Sequence, residues 1–139
     1  MNNGDIHWGN LPIVGGREQR GRRPAIVIQD EKVGEKLPTV FVVPLTSSQR
    51  AMRFAGTTLI AAIEDSGLKN DSVALVFLAL AIDRSRVDER AGTVSIAERA
   101  EVQKQLRILT GESLQLEKHN RRFYDTARST HLQTSHQVR

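Results

Sequence analysis

Residues 15–29 read GGREQRGRRPAIVIQ, which sets Arg17, Arg20, Arg22 and Arg23 around Glu18 and Gln19. Planar guanidinium forks match phosphate oxygens, and glycine lets a backbone come close to an anion. A carboxylate among guanidiniums is expected to stay ionised, its pKa lowered by their charge. Phosphate recognition is the chemistry this stretch suits; a solvated charged loop is the plainer alternative. Arg23 stands apart from the rest. It abuts Pro24, where the β-branched run AIVIQ begins, so a strand edge would fix its position.

A second polar group follows an apolar run at PLTSSQR, residues 44–50, where Thr46, Ser47 and Ser48 place hydroxyls at a strand end. Alone, this is ordinary turn chemistry, since such side chains readily bond their own backbone. No HxxxH, HExxH or carboxylate cluster has metal-ligand spacing, and no metal is expected. GGREQRG lacks the lysine and the strand-then-helix context of a phosphate-binding P-loop. His119, His131 and His136 are irregularly spaced near the end and read as solvated; His7 reads as a surface residue of a first strand. With one Trp and 4% aromatics, a multi-base stacking platform is not expected.

The elements that would position these residues are mostly strands. Residues 5–11, with Ile6 and Trp8 on one face, read as the first, and 12–23 as a Pro/Gly-punctuated loop. Pro24 is tolerated at a strand start, and strands follow at 25–29, 39–44 and 57–63. The turn-rich DSGLKNDS leads into VALVFLALAI, residues 73–82, either one long strand or two pieces. Ser95 and Glu98 have capping-box spacing, and Val102, Leu106 and Leu109 follow at helical spacing up to Gly111. A helix over 96–110 follows from that pattern. Short strands and then one helix imply a small curved sheet or barrel with a helix packed on it.

Composition agrees. The 139 residues suffice for one domain with its own core, and 39% hydrophobic with 26% charged residues indicates a folded globule. The formal charge is +4, and cysteine is absent, which fits a reducing compartment and removes thiolate chemistry. The N-terminus lacks signal-peptide features, and the longest apolar run is too short for a spanning helix, so a cytoplasmic protein without membrane association is expected. Residues 1–116 are expected to form the domain, and 117–139 a loosely ordered polar tail with at most a short helical start. The continuous apolar stretch at 73–82 suggests burial against a second copy.

In GDIHWGNLP, GGREQRGRRPAIVIQ, LPTVFVVPLTSS, GLKNDSVAL and AIDRSRV, in that order, the chain resembles the MazF/PemK family of toxin endoribonucleases over about residues 4–110. The resemblance implies a mainly β fold with a C-terminal helix, a small SH3-like barrel of the MazF/PemK/CcdB type. It also implies metal-free cleavage of single-stranded RNA at a short sequence, a homodimer, and a cognate antitoxin whose extended segment crosses the RNA site. Arg23 matches the family's arginine before proline, Thr46 its threonine after the third strand, and Glu18 a common carboxylate, which makes these three the catalytic candidates. Arg17, Gln19, Arg20, Arg22, Ser47, Ser48, Gln49, Arg50 and Arg53 are the RNA-binding candidates.

Metal-free RNA cleavage uses the neighbouring 2′-hydroxyl as nucleophile and needs charge on the phosphorane. Arg23, with a pKa above about 12, suits charge stabilisation and not proton transfer. Thr46 suits orientation of a phosphate oxygen, and Glu18 is the candidate base. The chain departs from the family where relatives carry an acid, a Gln and a base: here stand Phe77, Leu78, Ala79 and Leu80. Arg17 also replaces a histidine or small polar residue of some relatives. A rearranged mechanism, an altered RNA preference and a weakened enzyme all remain open, as does a non-catalytic or gyrase-poisoning protein on the same barrel.

Overall fold

The structure, a computed structural model, describes residues 1–12 and 21–112. The elements in chain order are β1 (Asp5–Leu11), β2 (Gly21–Val27), α1 (Glu31–Gly34), β3 (Thr39–Thr46), β4 (Thr57–Ile60), β5 (Ser72–Leu75), β6 (Leu80–Asp83), β7 (Val87–Thr93) and α2 (Ile96–Leu109). Single 3-10 turns occupy Gln49–Arg53, Val76–Leu78 and Arg84–Arg86. Arg17, Glu18, Gln19 and Arg20 lie outside the described residues, as do the expected 116/117 boundary and the tail beyond it.

All pairings are antiparallel, in the order β4-β5-β3-β2-β1-β7, with β6 also on β3. β5 and β6 follow one another along β3: Thr46↔Val73 and Leu45↔Ala74, then Val42↔Leu80 through Thr39↔Asp83. The apolar stretch at 73–82 is therefore two strands, split by the turn at Val76–Leu78.

Alternation along the central strands explains the long apolar runs. Ile26, Ile28, Val43 and Leu45 join one buried cluster with Ile6, Ile60, Ala74, Val76 and Val102 of α2. Ala25, Val27, Val40 and Val42 join another, with Leu11 of β1 and Ile82 of β6, against which Val87 of β7 packs. Strands buried on both faces need no polar alternation. The second cluster draws together strands from both sides of the ladder, which is the barrel-like arrangement expected, although no recorded pairing joins β6 to β7. It also revises the expectation drawn from residues 73–82. Val73, Ala74, Leu75, Val76 and Ile82 are at most 4% exposed within a single chain, so their continuity does not itself require a second copy.

Three of the differences from the sequence reading have a clear structural reason. β2 starts at Gly21, not after Pro24, because Gly21, Arg22 and Arg23 pair with Leu11, Asn10 and Gly9. Pro24 is tolerated inside the strand since pairing with β3 begins only at Ala25. β4 stops at Ile60 because side chains capture the next three amides: Glu98 that of Ala61 (2.9 Å), Asp71 that of Ala62 (2.8 Å) and Ser66 that of Ile63 (3.1 Å). β7, absent from the sequence reading, has the polar sequence VDERAGT. It is held as a ladder edge by β1.

α2 begins as expected. The Ser95 hydroxyl accepts from the Glu98 amide (3.0 Å), and the Glu98 carboxylate accepts from the Ser95 amide (2.9 Å). The other Glu98 oxygen takes Ala61, so one side chain ties the helix start to the end of β4. Chain contacts define two units, Met1–Leu106 and Arg107–Arg139. Within the second, the Gly111 amide bonds the Ile108 carbonyl (3.1 Å) and that of Glu112 the Arg107 carbonyl (2.8 Å), with Gly111 at φ 105° as the expected stop. No described helix is long and apolar enough to cross a membrane.

The turn before β5 sits directly on β7. A Cβ on Gly92 would lie 2.2 Å from the Asp65 carbonyl oxygen, and one on Gly67, at φ +68°, 2.0 Å from that of Ala91. Backbone cannot yield as a flexible side-chain end can. Gly92→Ala is expected to cost about 1–3 kcal/mol, the scale of overpacking, against about 1 kcal/mol for loss of the cap in Ser95→Ala. Urea unfolding midpoints of the two variants check that order.

Candidate active site

Arg23 and Thr46 come together through the β2–β3 ladder. Arg23 precedes by two residues the first β2–β3 pair, Ala25↔Pro44. Its guanidinium Nη1 donates to the carbonyl of Leu45 (3.2 Å), the residue before Thr46. The Thr46 hydroxyl accepts from the Ser48 amide (3.2 Å), and an accepting hydroxyl still has its own proton to donate. A half-buried cation and a directed O–H thus share one cleft.

That cleft has a volume of ≈ 630 Å³. Trp8 of β1 and Arg22, Arg23 and Pro24 of β2 contribute to its lining, with Leu45, Thr46 and Ser47 from the end of β3. The rest is the turn into β5: Gly67, Leu68, Lys69, Asn70 and Ser72. The turn reaches the cleft because β5 pairs with β3 at Leu45 and Thr46.

Arg22 differs from its neighbour. Its guanidinium lies 4.9 Å from the centroid of the Trp8 ring, a cation–π distance. It is ion-paired to Glu89 (2.5 Å) and Asp88 (3.6 Å) of β7. The hydrogen bond it donates to Glu89, with the charges of Glu89 and Asp88 added, pushes the Arg22 pKa up. The same bond holds the Glu89 carboxyl below its ordinary value. So Arg22, read from sequence as part of a loop, is a strand residue with two acidic partners. His7, read as a surface residue, is half-buried, and its Nδ1 donates to the Asp88 carbonyl (2.9 Å).

Of the other sequence candidates, Ser47 lines the cleft and Ser48 and Gln49 follow it. The Gln49 amide donates to the Asp71 carbonyl (3.0 Å), tying the 3-10 turn to the turn before β5. Arg50 and Arg53 lie on that 3-10 turn and do not line the cleft; Arg53 sits 4.9 Å from the ring centroid of Phe54. Sequence reasoning missed Trp8, Lys69 and Asn70 as cleft residues and Asp88 and Glu89 as partners of Arg22. GDIHWGNLP, which holds Trp8, and GLKNDSVAL, which holds Lys69 and Asn70, carried a signal as parts of the resemblance.

A family model described as "PemK-like, MazF-like toxin of type II toxin-antitoxin system" matches residues 2–110. The chain belongs to that family. Endoribonuclease MazF of Staphylococcus saprophyticus is 31% identical over 113 residues, which cover 80% of this chain and 92% of that protein. MazF from Deinococcus radiodurans has a similar structure, with a TM-score of 0.67 at 26% identity over 80% of this chain and 96% of that one. A MazE–MazF complex from the same organism aligns with a TM-score of 0.63 at 25% identity, over 81% of this chain and 98% of that one.

Within this PemK/MazF chain, the departure at Phe77–Leu80 has a structural form. Val76–Leu78 is the 3-10 turn between β5 and β6, and Phe77 packs on Phe54 with ring centroids 5.6 Å apart. No residue from 77 to 80 lines the cleft. Among the described residues, the ionisable side chains that do are Arg22, Arg23 and Lys69.

Trp8 is the chain's single tryptophan, so its emission reports on the Arg22 stack. The depressed Glu89 pKa means that the pairing's contribution is present above the unfolded carboxylate value. It is lost as pH falls through the folded one. The pair is exposed, so the contribution to stability is small. Trp8 emission is expected to change in a step below the ordinary carboxylate range, and Glu89→Gln to remove that step. An unaltered step in the variant means that Glu89 does not hold the stack.

Proposed function

We propose that this endoribonuclease toxin cuts single-stranded RNA in the cleft shared by Arg23 and Thr46, through attack of the 2′-hydroxyl on the adjacent phosphorus. The observation that carries the reading is the Arg23–Leu45 hydrogen bond, which holds the guanidinium beside Thr46. The 2′-oxygen forms a bond to phosphorus as its proton passes to a base. The P–O5′ bond then breaks and the departing 5′-oxygen takes up a proton. Arg23 stabilises the extra negative charge of the phosphorane, and Thr46 orients a phosphate oxygen. Glu18 is the proposed base, on the strength of the family resemblance and its place between Arg17 and Arg20.

Arg17, Gln19, Arg20, Arg22, Ser47, Ser48, Gln49, Arg50 and Arg53 are the proposed RNA contacts. The protein acts in the cytoplasm, where its RNA substrate is, as a homodimer. Phe54 and Phe77, in contact and 46% and 38% exposed, support burial against a second copy. Its antitoxin presents acidic residues in an extended segment over the arginine stretch. Solved MazE–MazF complexes among the structural relatives support that partner. Such a segment would compete with Glu89 for Arg22. We further propose that the toxin domain extends over 1–116 and that 117–139 forms a polar tail.

Arg23→Ala is expected to lower turnover about a hundredfold or more, the scale for losing one transition-state donor, with little loss of RNA binding. A 2′-deoxy sugar just 5′ of the cut is expected to abolish cleavage, whereas chelator leaves it intact. Gel analysis of a long unstructured RNA reads all three. An Arg23→Ala protein that cuts as fast as its parent removes the catalytic role. An inactive parent favours a binding protein on the same barrel.

Sedimentation at micromolar concentration is expected to show a dimer. A monomer alone counts against the homodimer.

A further inference from the structure

The turn that brings Lys69 to the cleft is fastened at both ends. Ser66, 1% exposed, accepts from the amides of Ile63 (3.1 Å) and Leu68 (3.3 Å) and donates to the Ile63 carbonyl (2.9 Å). The Thr93 amide donates to the Asp65 carbonyl (2.8 Å), and the closeness of Gly67 and Gly92 to opposing backbone keeps the turn against β7. At the other end the Asp71 carboxylate is taken by the Ala62 amide, its carbonyl by Gln49, and the Asn70 carbonyl by the Ser72 hydroxyl (3.0 Å).

Between these fastenings Lys69 is exposed, and among the described residues its ammonium has no hydrogen bond or ion pair. The contrast with Arg22 is direct: that cation on the same cleft is already committed to two carboxylates. An exposed lysine on a loose turn is ordinary solubilising charge. One held by a rigid turn, lining the cleft that contains Arg23 and Thr46, has a fixed place to meet an anion.

We propose that Lys69 is a further RNA-binding residue, which holds a backbone phosphate next to the one bound by Arg23 and Thr46. The inference rests on the proposed RNA cleavage at that site. An ammonium is a compact point charge that meets phosphate oxygens without the planar match an arginine needs. It therefore contributes affinity, while Arg23 contributes rate. Each phosphate neutralised on a single strand adds about 0.7 to the dependence of log affinity on log salt.

The test measures binding of an RNA that carries its mapped cleavage site blocked by one 2′-deoxy sugar, or of an unstructured RNA if the parent does not cut. Lys69→Gln is expected to weaken binding about fivefold at 0.1 M salt and flatten the slope by about 0.7. Lys69→Arg is expected to restore both. The single-turnover rate at saturating RNA is expected to stay within about twofold of the parent, and the melting temperature to be unchanged, because the side chain is exposed. A Lys69→Gln protein with the parent's affinity and slope overturns the proposal, as does a lower saturating rate at unchanged affinity. A parent that cleaves beside such an unaffected variant sinks this inference alone. A parent that does not cleave, with the slope still flattened, sinks the nuclease reading and leaves Lys69 as a binding residue.

Discussion

The register between β2 and β3 is the constraint on which the rest depends. Ala25↔Pro44, Ile26↔Val43 and Val27↔Val42 are paired in a ladder buried on both faces. A slip of one residue would exchange the two apolar sets and carry every neighbouring side chain to the opposite face. Burying a Val, Leu or Ile is worth roughly 1.5–3 kcal/mol, and total stability is only about 5–15 kcal/mol. A slipped register would have to refill both clusters with misfitting side chains, at a cost that is a large share of that total. The Arg23–Leu45 hydrogen bond follows from that register, and the position of Thr46 with it. The scaffold is fixed by apolar side chains; the polar groups of the candidate site sit where the ladder ends.

Two adjacent arginines acquire different roles from one strand. Arg23 points its Nη1 at a carbonyl of β3, whereas Arg22 lies over Trp8 and meets two carboxylates of β7. Charge alone would treat them as one patch. Their partners separate them: the first donates to a carbonyl of β3, and the second is ion-paired to two exposed carboxylates of β7. Net charge therefore says little about the cleft, where one of the two arginines is already ion-paired.

The sequence candidates Arg23 and Thr46 line one cleft, and the departure at Phe77–Leu80 falls outside it. The turn at Val76–Leu78 sets Phe77 against Phe54, and none of the four lines the cleft. Glu18, the proposed base, lies in the stretch of sequence that precedes β2.

The sequence by itself determined the elements whose stability is local or whose burial is two-sided. The capping box at Ser95 and Glu98 fixed the start of α2, and the apolar runs fixed the buried parts of β2 and β3, because both their faces are buried. Arg23 was legible for the same reason, standing directly before such a run. What only the tertiary structure decided involves residues far apart in sequence. β7 was not legible because backbone pairing to β1 holds it, and VDERAGT has mostly exposed side chains with no apolar alternation. Arg22 was read as loop because its backbone pairing with Asn10 of β1 is not encoded in the polar stretch that holds it, and its partners Asp88 and Glu89 lie on the unread strand. Lys69 reaches the cleft only because β5 pairs with the end of β3, while Gly67 and Gly92 let its turn close on β7. Backbone pairing and close approach depend on the whole fold, and side-chain patterns along a single strand do not encode them.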